Sequence, residues 1–208
     1  MQSAPPTLWL SADPLVLASR SKARRAMLVN AGIPVSVVAS NVDEPLLQEQ
    51  FGQSSTAPEL AKLLANAKAE DVASRYPSRL VLGSDQTLEL DGKTLFKAAS
   101  GAEAKDRLRL FSGRHHHLHS AFCFVCDGDV VFSGVASAKI SIRSLSDAFI
   151  DTYLDMNGGD VLTSVAVYEI EALGIQMIES IDGDWFTIQG LPLTPVMGFL
   201  QRRGLLLI

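Results

Sequence analysis

The stretch Leu80 to Thr87, LVLGSDQT, constrains this chain more than any other. The apolar run Leu80-Val81-Leu82 fits a buried strand. It then breaks at Gly83 and delivers Ser84, Asp85 and Gln86 together. A carboxylate at the end of a buried strand sits where open α/β sheets bind their ligands. A strand-end Asp also caps turns for purely local reasons, so on this stretch alone Asp85 is either a turn cap or a functional acid.

The 208 residues suffice for one large domain or two lobes around a shared sheet. With 47% hydrophobic and 20% charged residues the chain can bury a sizeable core. A net charge of -5 argues against a protein that coats nucleic acid, yet a local Lys/Arg cluster can still bind a small anion. No apolar run approaches the roughly 18 residues that span a bilayer. The start, MQSAPPTLWLSADP, lacks a basic region and a long apolar core, so no secretory signal is expected. The expectation is a cytoplasmic protein with no membrane or nucleic-acid partner, an N-terminal extension over 1–14 and a single domain over 15–208.

Strand and helix signals alternate along the whole chain. Leu15 to Ala18 reads as a first strand. Ser21 fits the N-cap of a helix that Gly32 ends, and Pro34 to Ala39 reads as a second strand. Thr56-Ala57-Pro58-Glu59 is a capping box opening a helix to about Tyr76. Asp91-Gly92 and Asp127-Gly128 mark hairpins. Ser100 to Glu103 opens a helix to about Phe111, and Ser146-Asp147 opens one to about Met156. Ile175 to Ile181 reads as a strand, and a last helix runs from Gly190-Leu191-Pro192 to Gly204; Val161 to Tyr168 carries no clear signal. The mixture gives an α/β fold built on a mixed sheet with flanking helices.

Several polar groups stand out. Ser19, Ser21, Lys22, Arg24 and Arg25 crowd the junction of the first strand and its helix, where free N–H groups and the positive dipole end suit phosphate. Asp43 and Glu44 precede Pro45, as a solvated turn or as hard oxygen ligands for Mg²⁺. Lys68, in the second half of its helix, reads by itself as a surface lysine. Lys97 stands beyond the first hairpin. Cys123 and Cys126 have redox or zinc spacing, but on a strand they face opposite sides and read as buried core thiols. In His115-His116-His117-Leu118-His119 alternate residues share a face, and hydrogen-bonding strand histidines are a better reading than zinc.

Taken together, LASRSKARRAML, NVDE, LLANAKAEDVA, VLGSDQT, LFK, FSGRHH and GDWFTIQGLPL resemble, in order and spacing, the Maf family of nucleotide pyrophosphatases from about Leu15 to Gly204. The resemblance implies two lobes around a cleft, a fold like that of the inosine-triphosphate pyrophosphatases, and frequent homodimers. It implies hydrolysis of a nucleoside triphosphate between the α and β phosphates with a divalent metal, Mg²⁺ or Mn²⁺, in house-cleaning of modified or non-canonical nucleotides. The family's catalytic acid falls on Asp85. Its phosphate loop falls on Ser19, Ser21, Arg24 and Arg25, its strand-end acid on Glu44, and its two lysines on Lys68 and Lys97. Its substrate-selecting positions fall on Ala23, Gln86 and Glu171. Gln86 and Glu171 resemble the subgroup acting on 7-methyl-GTP, whereas Ala23 replaces that subgroup's large aromatic; dTTP, UTP and CTP are the other candidates. Lys22 and Ala98 stand where the family usually has Pro.

Charge neutralisation, an oriented water and a metal are what triphosphate hydrolysis needs. Asp85 can hold the metal, with or without Glu44, or accept the proton of the water. A non-catalytic nucleotide-binding regulator of cell division is the alternative from a different class. A phosphatase of the haloacid-dehalogenase type would need a D-x-D-x-T motif after the first strand, and Leu15 to Ser21 contains no Asp.

Overall fold

A strand too short to stand alone begins the sheet. β1 (Leu15–Ala18) is buried along its full length and leads through three residues, Ser19 to Ser21, into α1 (Lys22–Asn30). The Ser21 side chain accepts the Arg24 N–H and so caps α1, as the sequence predicts. Gly32, at φ 79°, takes the left-handed conformation that releases the chain into β2 (Val35–Val37). β2 lies parallel to β1 on one side, and β3 (Val81–Leu90) parallel to it on the other. This computed structural model describes residues 7–51 and 54–207. The first six residues of the expected 1–14 extension, and residue 208, lie outside them.

The remaining strands run antiparallel. β3 turns at Asp91-Gly92 into β4 (Lys93–Leu95) and pairs along nine residues with β5 (His115–Cys126). β5 turns at Asp127-Gly128 into β6 (Asp129–Ile142), and β6 pairs with β7 (Ile178–Asp182). Both Asp-Gly turns have positive φ at both residues, the geometry that matches strand twist. The order is β2-β1-β3-β5-β6-β7 with β4 on β3, a mixed seven-stranded sheet.

Helices cover both faces. α3 (Ala57–Ala73) lies across β3 and β5 and buries Ala61, Ala65 and Ala69. On the other face the buried apolar residues form two separate cores. One joins α1 and α7 (Leu193–Arg202) to Leu82, Phe122 and Phe124. The other joins α4 (Gly101–Phe111) and α5 (Asp147–Asn157) to Leu88, Leu118 and Ile140. Between them the same strands carry Ser84, Gln86 and Ser120, so two lobes meet at a polar band in the middle of one sheet.

Several expectations are corrected. β3 does not break at Gly83 but runs on to Leu90. Gly83 serves close approach instead: a Cβ there would lie 2.2 Å from the Ala65 carbonyl oxygen. The Asp43–Pro45 segment is no simple turn, since α2 (Glu44–Phe51) starts there, with Asp43 Oδ1 accepting the Leu46 N–H and Pro45 in the first turn. Val161 belongs to a 3₁₀ turn, Gly158–Thr163, and the strand expected from Ile175 starts only at Ile178, after a second 3₁₀ turn, Leu173–Met177. A four-residue helix, α6 (Trp185–Ile188), is capped by Asp184. Near the N-terminus Trp9 is buried and bridges to Leu206, and Leu10 N–H donates to Leu205 O. Among the described residues no helix is long and apolar enough to cross a membrane.

Candidate active site

The polar band is built by three neighbours of β3. Along β3, Gly83, Asp85 and Thr87 face α3, while Ser84 and Gln86 face α6 and the loop to α7. The close fit of Gly83 against Ala65 and Ala69 brings α3 down onto the strand. Lys68, one residue before Ala69, is thereby buried, with only 6% of its surface exposed. Its Nζ donates to Asp85 Oδ1 at 2.5 Å and meets Glu44 Oε1 at 2.9 Å. The reading of Lys68 as a surface lysine is therefore overturned: an ammonium is buried here because two carboxylates flank it. Glu44, at the start of α2, is the more exposed partner, and Asp85 is 7% exposed.

Arg24 crosses from α1 to the other side of the band. Its Nε donates to Gly190 O at 2.7 Å, and its Nη1 donates to Ser84 O and Ser19 Oγ at 3.0 and 3.1 Å. Burial pushes the guanidinium below its ordinary range, and the negative charges of Asp85 and Glu44 partly offset that push. Ser19 Oγ also accepts the Ser21 N–H, which fixes the loop between β1 and α1. Gln86 Nε2 is enclosed by Ser120 Oγ, Thr187 O and Ile188 O. Its carbonyl oxygen takes no hydrogen bond among the described residues.

Glu44, Lys68 and Asp85 form one contact group on the α3 side of β3; Ser19, Ser21 and Arg24 form a second that reaches Ser84 O; and Gln86, next along β3, is held by Ser120, Thr187 and Ile188. Arg25, Lys97 and Glu171 are exposed and Ala23 half-buried. Their side chains make no hydrogen bond or ion pair with these groups among the described residues. Sequence reasoning missed Ser84, Ser120, Thr187 and Gly190. Of these only Gly190 leaves a trace: at φ 103° it has a backbone suited to glycine, within the QGLPL run.

Among the described residues no three or more His, Cys, Asp or Glu side chains converge as a metal cage would need. Two carboxylates sharing a single cationic neighbour do fit a hard divalent cation that keeps waters and takes its remaining oxygens from a phosphate substrate. The histidines do other work. His116 is buried, stacks on Phe111 at 4.5 Å and bonds the Tyr168 hydroxyl at 2.7 Å, and His119 Nδ1 bonds Ser137 Oγ at 2.7 Å. Cys123 and Cys126 are free thiols, and burial pushes Cys123 up to about 12. A hollow of about 780 Å³, lined by Pro45, Thr56, Ala57, Glu89 and Phe96, opens beside the acid–lysine group without reaching it.

Comparison with known proteins gives the chain a family. The family model described as Maf-like protein matches residues 14–203. A "Nucleoside triphosphate pyrophosphatase" from Rhodopseudomonas palustris is 46% identical over 202 residues, covering 97% of this chain and all of the relative. One of the same name from Nitrobacter winogradskyi is 44% identical over 199 residues, covering 96% and 98%. A "7-methyl-GTP pyrophosphatase" from Rhizobium meliloti is 44% identical over 191 residues, covering 91% and 96%. A solved HAM1 protein from Coxiella burnetii overlaps 62% of this chain and 72% of its own at TM-score 0.38 and 16% identity, too loose a likeness to carry the fold.

Proposed function

The chain belongs to the Maf-like family and is a nucleoside triphosphate pyrophosphatase, and from that premise we propose that its substrate is 7-methyl-GTP and that Asp85 is its essential acid. Water adds to phosphorus, the anhydride between the α and β phosphates breaks, and the monophosphate and pyrophosphate leave. The observation that carries the assignment is the buried Lys68 ammonium held between Asp85 and Glu44. A cluster with both signs of charge can meet phosphate oxygens and a metal at once.

Asp85 and Glu44 would hold Mg²⁺ or Mn²⁺, which when bound neutralises charge on the phosphates. Asp85 Oδ2, which Lys68 does not occupy, would take the proton of the attacking water. Lys68, Lys97, Arg25 and the Ser19–Ser21 loop would receive phosphate oxygens. Arg24 would act from behind, since its Nε and Nη1 already hold Ser84, Gly190 and Ser19.

The base preference rests on Gln86 and Glu171. The Gln86 amide is oriented by three acceptors around its nitrogen, so it offers its oxygen to a donor. Guanine carries two adjacent N–H donors that this oxygen and the Glu171 carboxylate suit. The relative named for 7-methyl-GTP supports the same choice. The reading includes a cytoplasmic homodimer. A panel of 7-methyl-GTP, GTP, dTTP, UTP and CTP with product identification tests it. Pyrophosphate released fastest from 7-methyl-GTP is expected. Orthophosphate would mean a phosphatase, and binding without product would mean a nucleotide sensor.

A further inference from the structure

We infer that Lys68 is the resting counter-ion of the Asp85–Glu44 pair, occupying the place of a divalent cation until a nucleotide arrives. Both carboxylates use one Nζ, at 2.5 and 2.9 Å. Lys68 and Asp85 are each more than nine-tenths buried. Two carboxylates that share one Nζ repel each other, which costs stability. A cation between them removes that cost. Lysine suits such a temporary post, being a compact charge on a flexible four-carbon stem. The Arg24 guanidinium, by contrast, is fixed by three hydrogen bonds and has no such freedom.

The oxygens that Lys68 engages are also those a hard metal ion would seek. The described residues bring no third carboxylate, histidine or cysteine to the group. A bare ion therefore gains two protein ligands and must first expel a buried ammonium from between them. Expulsion leaves Lys68 buried without a counter-charge, which is costly. Lys68 can leave the carboxylates only for another anion, and the phosphates of an incoming substrate are that anion. The arrangement makes metal binding depend on nucleotide, with Lys68 as the residue that enforces the order. This rests on the triphosphate reading for the identity of the anion, but not for the counter-ion role itself.

The test is Mn²⁺ binding to the nucleotide-free full-length protein, followed by calorimetry and by the electron-spin signal of free Mn²⁺. Wild type is compared with Lys68→Met, Lys68→Gln and Lys68→Met/Asp85→Asn, each checked for a cooperative thermal transition. At least tenfold tighter Mn²⁺ binding is expected in both single variants, and its loss in the double variant. Binding no tighter than wild type, or a gain that survives Asp85→Asn, overturns the inference. Should both single variants unfold, wild type decides. Its Mn²⁺ affinity is expected to rise at least tenfold with a methylene-bridged triphosphate analogue, and equal affinity with and without analogue overturns the inference. If no triphosphate is hydrolysed while Lys68→Met gains Mn²⁺, the substrate reading falls and the counter-ion stands. If hydrolysis holds without that gain, only the counter-ion falls.

Discussion

Gly83 of β3 and Ala65 of α3 meet backbone to backbone. A Cβ on Gly83 would come within 2.2 Å of the Ala65 carbonyl oxygen and 2.7 Å of the Ala69 amide nitrogen. This contact sets the distance at which Lys68 reaches Asp85. Gly83→Ala must push helix from strand. We expect a loss of about 3 kcal/mol, as for other overpacked cores, and a large fall in turnover from a change that adds one methyl group. Chemical denaturation and a pyrophosphate assay on the same preparation check both; a variant as stable and active as wild type would show that the spacing does not matter.

Arg24 is expected to behave as a strut. Arg24→Lys keeps the charge but cannot reproduce a fork that reaches Ser84 O, Gly190 O and Ser19 Oγ together. Two buried carbonyls lose their charged donor, at about 1.5–3 kcal/mol for each such bond. The melting temperature should fall by several degrees, with Lys no better than Ala. A variant with unchanged melting and a raised KM alone would assign Arg24 to substrate instead.

His116 is expected to make the protein sensitive to acid. Burial lowers it from 6.5 to about 3, with His117 and His115 adding smaller repulsions. Below about 6.5 the unfolded chain takes up a proton that the folded chain refuses. The contribution is therefore complete above that pH and is lost as pH falls toward 3. Between pH 7.5 and 5 it amounts to about 2 kcal/mol. His116→Gln, which keeps a partner for the Tyr168 hydroxyl, should flatten the stability profile over that range by about that amount. Urea titrations at the two pH values measure it, and an unchanged slope would remove His116 from the account.

The two cysteines should differ in reactivity. Cys123 is fully buried and its thiol is pushed up to about 12, whereas Cys126 is half-buried beside Asp127. At pH 8 the native protein should accept at most one alkylation, at Cys126, and two in urea. Two labels added equally fast to the native protein would contradict the burial of Cys123.

Much of this was legible in the sequence because local signals and tertiary structure agree. Ser21, Thr56, Ser100 and Ser146 read as caps and are caps. The Asp-Gly pairs read as turns and are turns. What local chemistry misjudged was set by distant contacts. A lysine on a helix is usually exposed; Lys68 is buried because Gly83, fifteen residues on, admits its helix to the sheet. Gly83 reads as a strand break because glycine weakens a strand's interior, and the close approach it serves here depends on a helix distant in sequence. Ser84 stood beside Asp85 in the key stretch but its role did not show, and Ser120 and Thr187 left no signal, since serine and threonine are common and these act through partners far along the chain.

Asp85 carries the central claim, and Asp85→Asn tests it most directly. The change keeps size and shape but removes the charge that Lys68 answers and the oxygen that receives a proton. In parallel assays of pyrophosphate and monophosphate from 7-methyl-GTP, wild type should release the two in equal amounts. The variant, folded by its thermal transition, should lose about a thousandfold in kcat, within the span seen for general acid–base groups. Near-normal pyrophosphate release by folded Asp85→Asn would contradict the account.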